Sequence, residues 1–501
     1  MNKLFRISNV IRERTEKRIV KLKTTRIMKA IKYVMMGVLT FGFSASVMAQ
    51  DGSKADVDAV KRIISSKPAD LDKQMKPYFK ANKKNAENLV AFARAFFEAR
   101  DTANARAYAQ NALAASKNKC APAYILLGDM EALYDNGGAA AAQYEQAIYA
   151  DPKLVEAYYK YALVYRKIDP RGATAKLDEL KQARPDVSIE ALKGHIFMLA
   201  DDRKSAYNEF KKVPVSQIDP DYLNEFARAS YFGGHFEDAL AACQEGLKHK
   251  PGNPAFTRLA MFSNYELKNY DAAKGYLQKY FHEIDSVKFS EYDHYYAALI
   301  HEATGDKANA KESYHKALEL VDEKSILKRW DILKTLSTSH KKDGDIENAI
   351  KYYQEFLACK PELKVDDYET LAEIYSSFAN EASDASKADL LKKAADVYST
   401  IGDKFPVQKA YASYKRAELI NKTDKDMAGR LAKADYQQVV NLLGDKADRT
   451  KSENTMLKYS LHYLMFSAYL DKNIPSAKGF AEKILAVDPE YKPALEIQNL
   501  K

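Results

Sequence analysis

The side chains that could do chemistry in this chain of 501 residues are few and widely separated. It contains nine histidines and three cysteines, and none of them lies in a metal-binding, nucleophile or phosphate-binding motif. The closest pair of histidines, His294 and His301, is two helical turns apart, or about 10 Å along a helix axis, which is too far for both to bind one metal. The sequence therefore predicts no catalytic residue, no metal site and no cofactor, and hence a protein that is not an enzyme.

The cysteines do not form the framework of a small disulfide-stapled fold. Such a fold has more cysteines, usually an even number and closer together, whereas Cys120, Cys243 and Cys359 stand far apart. Each falls in or beside a helical pattern, and Cys243 sits at a core position of that pattern. We therefore expect buried, unreactive thiols.

Residues 28–49 have the order of a secretory signal peptide. A basic start is followed by an apolar stretch too short to span a bilayer comfortably and by small residues that end at Ala49. The sequence predicts export to the periplasm with cleavage between Ala49 and Gln50; a membrane anchor is the alternative interpretation of the same stretch. Either Met1 or Met28 is the initiator.

Most of the formal charge belongs to this leader. The whole chain carries 78 Lys+Arg and 69 Asp+Glu, a net charge of +9. Residues 1–49 hold 11 of these basic and 2 of these acidic side chains, so the remainder is neutral. A neutral mature chain gives no electrostatic support for binding nucleic acid or an anionic membrane.

The organisation of the chain lies in a repeated alanine, which recurs at intervals of about 33–45 residues. Four residues after it, an aromatic side chain stands in seven of eleven cases, and twelve residues after it a proline stands in six. Offsets of four, seven and eight residues place side chains on one face of a helix, and the proline ends that helix. The eleven alanines are Ala105, Ala140, Ala173, Ala206, Ala239, Ala272, Ala310, Ala349, Ala394, Ala432 and Ala477.

A second helix is predicted upstream of each alanine, so that the chain reads as a series of helix pairs. Turn-forming sequences such as Gly233-Gly234 separate the two helices. About twelve residues before the repeated alanine, a small residue would let the two helices approach closely. These small residues are Ala93, Gly128, Gly194, Ala227, Ala260 and Ala298.

The pattern resembles the tetratricopeptide repeat family, in its exported bacterial type. In the clearest unit the matching residues are Tyr124, Leu127, Gly128, Ala140, Tyr144, Ala147 and Pro152. The resemblance implies an all-α fold, a right-handed superhelical solenoid of about eleven helix-turn-helix repeats. We divide the chain into an upstream extension and signal peptide (1–49), N-terminal capping helices (50–85), a regular array (86–380) and divergent repeats with a C-terminal cap (381–501).

The same resemblance places a binding groove on the first helix of each pair. In the central repeats it selects Tyr159, Leu163 and Arg166, then Asn224, Arg228 and Tyr231, then Thr257, Met261 and Asn264, with Tyr265 adjoining. Aromatic and arginine side chains commonly anchor interfaces. From these we take Tyr159, Arg166, Asn224, Arg228, Tyr231, Asn264 and Tyr265 as the candidate binding residues.

Two functions fit these features. The first is a scaffold or adaptor in the bacterial cell envelope that binds a peptide or helix of a partner protein. The second is a module that binds glycan or peptidoglycan by stacking aromatic groove residues on sugars. Neither involves nucleic acid or stable membrane insertion after the signal peptide is removed, and the sequence does not fix the partner or the oligomeric state.

Overall fold

The computed structural model describes residues 51–284, 288–325 and 327–500, and no β-strand occurs among them. The predicted signal peptide and its cleavage point lie outside these residues. The chain divides into two compact units, of which the first ends at Asp285 and the second begins at Ser286. Each unit is a series of helices connected by short turns.

The described residues of unit 1 form fourteen α-helices. In chain order they are α1 (Asp51–Ser66), α2 (Leu71–Asn82), α3 (Ala86–Glu98), α4 (Thr102–Ala115), α5 (Ala121–Leu133), α6 (Gly137–Ala150), α7 (Val155–Tyr165), α8 (Pro170–Ala183), α9 (Ile189–Leu199), α10 (Arg203–Phe210), α11 (Leu223–Phe232), α12 (Phe236–His249), α13 (Pro254–Glu266) and α14 (Tyr270–Gln278). A 3-10 turn spans Val215–Gln217, and a π-helical turn, Lys279–Glu283, continues α14.

Unit 2 contains eleven further α-helices in its described residues. They are α15 (Glu291–Ala303), α16 (Lys307–Leu320), α17 (Arg329–Lys342), α18 (Ile346–Cys359), α19 (Val365–Ala379), α20 (Asp384–Lys404), α21 (Lys409–Asn421), α22 (Lys433–Leu443), α23 (Lys451–Leu470), α24 (Ile474–Val487) and α25 (Lys492–Gln498). Two 3-10 turns, Pro406–Gln408 and Lys425–Met427, flank α21.

The helices pack as eleven consecutive pairs, from α3 with α4 to α23 with α24. We call the two members of a pair its first and second helix. Helices α1 and α2 precede the pairs, and α25 follows them. The predicted all-α fold of about eleven helix pairs is confirmed; the handedness of a superhelix stays a prediction.

The turns inside the pairs share one construction. In eight pairs a residue with positive φ comes directly before the N-cap of the second helix: Arg100, Asp135, Asp201, Gly234, Lys268, Gly305, Gly344 and Lys472. In six of these pairs the N-cap is Asp or Asn, and its side chain accepts a hydrogen bond from a backbone N–H of the first turn, as Asp101 does from Asn104 at 3.0 Å. Such a cap satisfies an otherwise unpaired donor and fixes where the second helix begins. The N-caps His235 and Asn269 make no such bond.

The repeated alanine is the fourth residue of most second helices and is fully buried there, as at Ala105 and Ala140. One prediction is wrong by a single position. Ala272 is exposed, and its neighbour Ala273 is the fourth residue of α14, with 0% of its surface accessible. Leu277, not Tyr276, is the buried residue four positions later. The physical reason is the cap: Asn269 is the N-cap of α14 and lies four residues before Ala273.

Close approach of the two helices explains the small residues on the first helix. A Cβ added to Gly128 would lie 2.4 Å from the ring of Tyr144, and one added to Gly194 would lie 2.8 Å from the ring of Phe210. Both rings are buried. The aromatic residue after the repeated alanine therefore fills the space that a small residue leaves open.

The divergent later repeats keep the same pairing. The insertion near residues 381–390 lengthens α20 to 21 residues, and Ala394 remains fully buried in it. In the second irregular segment, the carboxylate of Asp424 accepts hydrogen bonds from the backbone N–H groups of Gly429 (2.7 Å) and Leu431 (3.0 Å). This loop returns the chain to Ala432, which is also fully buried.

The three cysteines are free thiols. Cys120 and Cys243 are buried as expected, whereas Cys359 is only half-buried, at the end of α18. Burial raises the pKa of the Cys243 thiol, which keeps it protonated and unreactive.

Candidate binding site on the first helices of unit 1

The structure places the seven candidate residues at very different depths. Arg228 is exposed; Arg166, Asn224 and Tyr265 are half-buried; Tyr159 and Tyr231 are 7% exposed and Asn264 is 3% exposed. Leu163 is half-buried, and Thr257 and Met261 are buried. Whether any of them binds a partner stays a prediction, but only some of them are accessible to one.

Three of the first helices are connected by a row of polar side chains. The hydroxyl of Tyr159 on α7 lies 3.1 Å from Nε2 of His195 on α9, and Nδ1 of His195 lies 2.7 Å from a carboxylate oxygen of Glu225 on α11. An ionised Glu225 only accepts hydrogen bonds, so it selects the tautomer in which Nδ1 carries the proton and Nε2 accepts from the tyrosine. The row thus joins α7, α9 and α11 side chain to side chain.

The environment of this row keeps the Tyr159 hydroxyl protonated. Burial, with a contribution from the negative charge of Glu225, raises the pKa of Tyr159 to about 12, although the positive charge of Arg166 opposes the shift. Tyr222 stacks on the His195 ring with 4.8 Å between centroids, and burial also raises its pKa. At neutral pH both phenols are therefore donors rather than phenolates.

His195 was not among the predicted residues, although the sequence contained the signal. It lies one residue after Gly194, which is the same place in its repeat that Arg228 has after Ala227. The groove position that Arg228 occupies in its repeat is occupied by His195 in the repeat that lies between those of Tyr159 and Arg228. Glu225 lies one position beyond Asn224 and outside these groove positions, so only the structure shows its role.

Two candidate side chains on α11 stand beside this row without a partner. Asn224 and Arg228 are four residues apart, which places them one above the other on a helix. Within the described ranges, neither side chain makes a hydrogen bond or an ion pair with another residue. A guanidinium and an amide together offer several donors and one acceptor to an incoming segment.

The buried candidates have structural partners. The Tyr231 ring packs edge-on against Phe232 and Phe236 and lies 5.9 Å from the ring of Phe262. The side-chain amide of Asn264 donates to the backbone carbonyl of Ala260 at 2.8 Å. These contacts account for the burial of Tyr231 and Asn264.

A buried ion pair lies between α5 and α7. The Lys160 ammonium is 2.6 Å from a carboxylate oxygen of Asp129, and both side chains are almost inaccessible. The same carboxylate accepts a hydrogen bond from the Tyr144 hydroxyl at 2.8 Å, and Glu156 lies 3.2 Å from Lys160. This cluster is saturated by its own partners and offers nothing to a ligand.

The described residues show neither a candidate metal site nor a candidate membrane-spanning helix. No group of three or more His, Cys, Asp or Glu side chains is arranged to hold a metal ion in the described part of the chain. Among the helices described, none combines the length and the apolar character needed to cross a membrane.

No family model and no curated protein matches the chain. Several solved structures do. One is the C-terminal part of a TPR repeat-containing protein from Cytophaga hutchinsonii, with 19% identity over 55% of this chain and 100% of that chain, and a TM-score of 0.39. A tetratricopeptide repeat protein from Parabacteroides merdae shows 16% identity over 48% of this chain and 94% of that chain, with a TM-score of 0.31.

The Pseudomonas aeruginosa protein pilF is a third match, with 14% identity over 41% of this chain and 92% of that chain, and a TM-score of 0.32. These likenesses are partial. The helix pairs, the buried alanines and the close approach of Gly128 and Gly194 to aromatic rings agree with the predicted tetratricopeptide-type fold.

Proposed function

We propose that the chain is a non-enzymatic scaffold that binds a segment of a partner protein across α7, α9 and α11. This proposal rests on a contrast within the site between side chains that have partners and side chains that have none. Tyr159, His195 and Glu225 satisfy one another, whereas Asn224 and Arg228 beside them have no partner in the described chain. The accessible donors of Asn224 and Arg228 have no partner within the described chain and stand next to side chains that fix one another, so they are available to bind a partner protein.

The chemistry of this surface suits a polypeptide. An arginine can bind a carboxylate through two parallel hydrogen bonds, and an asparagine amide can pair with a backbone N–H and C=O. The row joins three helices, so the backbone that carries Asn224 and Arg228 is rigid and loses little entropy on binding.

We place this function in the bacterial cell envelope, with the mature chain in the periplasm. The support is the signal-peptide order of residues 28–49, which lie outside the described residues. Mass spectrometry of the N-terminal peptide of the mature protein tests it: export predicts an N-terminus at Gln50, as glutamine or as its cyclised pyroglutamate form, and a mature chain that still begins at Met1 or Met28 argues against it.

The binding surface is tested by reversing one charge. Arg228→Glu is expected to remove a defined partner from affinity-purified complexes made in the native host. Arg171→Glu, on the second helix α8, is the matched control because Arg171 is equally exposed and lies on the other helix of its pair. Loss of the partner from both variants, or from neither, refutes the assignment. Tyr231 is unsuitable for this test because its removal would disturb the core.

A glycan-binding module requires aromatic rings that are open to a sugar face. Of the three candidate tyrosines, Tyr159 and Tyr231 are 7% exposed and Tyr265 is half-buried. Because two of the three rings are covered, the adaptor is the favoured function. Retention of the mature protein on insoluble cell wall, lost on adding soluble glycan, would favour the module instead.

A further inference from the structure

Helix α23 exposes apolar side chains in a way that no other described helix does. Tyr459, Phe466, Tyr469 and Leu470 are 45%, 41%, 39% and 39% exposed, and they recur at helical spacing. They form a stripe that is about 16 Å long at 1.5 Å per residue. A contiguous apolar surface of this kind on a soluble protein commonly marks a place where something binds.

The stripe borders a cavity. Met465, Phe466 and Tyr469 from α23 face Pro493, Glu496 and Ile497 from α25 across a cavity of about 390 Å³. That volume accommodates one or two large side chains. The surface is therefore a ridge of exposed rings beside a recess, both within unit 2 and remote in sequence from the polar site on α7, α9 and α11.

Glu496 is exposed and is the only carboxylate among the described residues that line the cavity. The remaining titratable groups there are His462, whose pKa is lowered by burial so that the ring is neutral at pH 7, and the Tyr469 phenol. Three lysines lie nearby: the Lys478 ammonium donates to the carbonyl of Leu500, which lines the cavity, at 2.6 Å, Lys458 pairs with Asp488 at 2.9 Å, and Lys492 is exposed one turn before Glu496. The recess is thus aromatic, and Glu496 is the charged side chain of its lining that can bind a cation.

We propose that this surface docks a short, basic amphipathic helix of a partner protein, with an apolar side chain in the recess and an adjacent Lys or Arg at Glu496. The occupant is complementary in both respects: an apolar anchor for the rings, and a cation for the carboxylate and for the faces of Phe466 and Tyr469. A helix presents anchors at three- and four-residue intervals, which match the spacing of the stripe.

A second copy of the chain fits this surface less well. The exposed parts of the four side chains amount to about 300 Å² at roughly 200 Å² for each whole side chain. A symmetric dimer through them would bury about 600 Å² in total, well below the roughly 1,200 Å² of stable interfaces.

The test uses the full chain and two fluorescein-labelled synthetic peptides of about 14 residues, or four helical turns. Both peptides carry the same Leu/Phe face; one has flanking lysines and the other has flanking glutamates. Fluorescence anisotropy is expected to show tighter binding of the lysine peptide. Phe466→Ala should weaken it by at least about tenfold, as for an interface anchor, and Glu496→Lys should reverse the preference between the peptides.

Two variants serve as controls. Tyr149→Ala removes a ring that is exposed in unit 1, and Glu490→Lys reverses an exposed charge outside the cavity; neither should change the affinity more than about twofold. Equal binding of the two peptides overturns the proposal. An unchanged affinity in Phe466→Ala also overturns it, provided that this variant shows the hydrogen exchange of the native fold. A dimer in sedimentation velocity that Phe466→Ala dissociates also overturns it, since the second copy would then be the occupant.

Discussion

Adding one methyl group at two different glycines should change stability in opposite directions. Gly128, in α5, approaches the ring of Tyr144 so closely that a Cβ would lie 2.4, 2.7 and 2.9 Å from three of its carbons. Gly479, in the interior of α24, is exposed and has nothing within 4 Å of the same position. Both substitutions, Gly128→Ala and Gly479→Ala, gain helix propensity worth about 1 kcal/mol.

At Gly128 the gain is outweighed. The Tyr144 ring is buried and its hydroxyl donates to Asp129, which also holds Lys160, so the ring cannot move without disturbing an ion pair. Overpacking of this kind costs about 1–3 kcal/mol, and loss of a hydrogen bond to a charged group adds about 1.5–3 kcal/mol. We expect a net destabilisation of about 1.5–5 kcal/mol at Gly128 and a stabilisation of about 0.5–1 kcal/mol at Gly479.

Native-state hydrogen exchange with mass spectrometry suits the measurement, because an array of repeats opens locally and does not unfold in two states. Faster exchange in α5 to α7 for Gly128→Ala and slower exchange in α24 for Gly479→Ala would match the expectation. If Gly128→Ala instead slows hydrogen exchange in α5 to α7, as Gly479→Ala is expected to do in α24, the close packing of glycine against the aromatic ring is refuted.

Three further predictions concern the core and its ionisable groups. Lys160→Met leaves Asp129 buried without its cation and should cost about 3–5 kcal/mol, part of which returns in the double variant with Asp129→Leu; hydrogen exchange in α5 and α7 measures both. Ala273→Leu should destabilise α13 and α14 by about 1–3 kcal/mol, whereas Ala272→Leu should change their stability by no more than about 0.5 kcal/mol. Equal effects of the two substitutions would contradict the assignment of Ala273 as the buried alanine. Burial lowers the pKa of His340 below its unfolded value, so the unfolded state binds more protons as the pH falls below that value and stability decreases. Thermal unfolding between pH 7 and pH 5 should show this loss, and His340→Gln should reduce it.

The helix pairs could be predicted from the sequence because the residues that specify each pair lie close together along the chain. A small residue on the first helix and an alanine followed by an aromatic on the second specify the pair wherever they occur. The error at Ala272 arose where two alanines are adjacent and Tyr276 supplies the expected aromatic spacing. The N-cap Asn269 resolves it, since the buried alanine follows the capping residue by four positions in the regular pairs.

The binding surface was less predictable because exposure depends on how successive pairs stack. Asn224 and Thr257 occupy the same place in the groove pattern of their repeats, yet Thr257 is buried and Asn224 is half-buried. No residue type or spacing within one repeat encodes that difference. The His195–Glu225 contact likewise joins two repeats at a spacing that the repeat pattern does not contain.

The proposed partner-binding face of α11 can be tested in intact cells. A photocrosslinking amino acid is introduced at position 228, with position 171 on α8, which is also exposed, as the control. One defined envelope protein is expected to crosslink from position 228 and not from position 171. The same products at both positions, or none from position 228, would contradict the proposal.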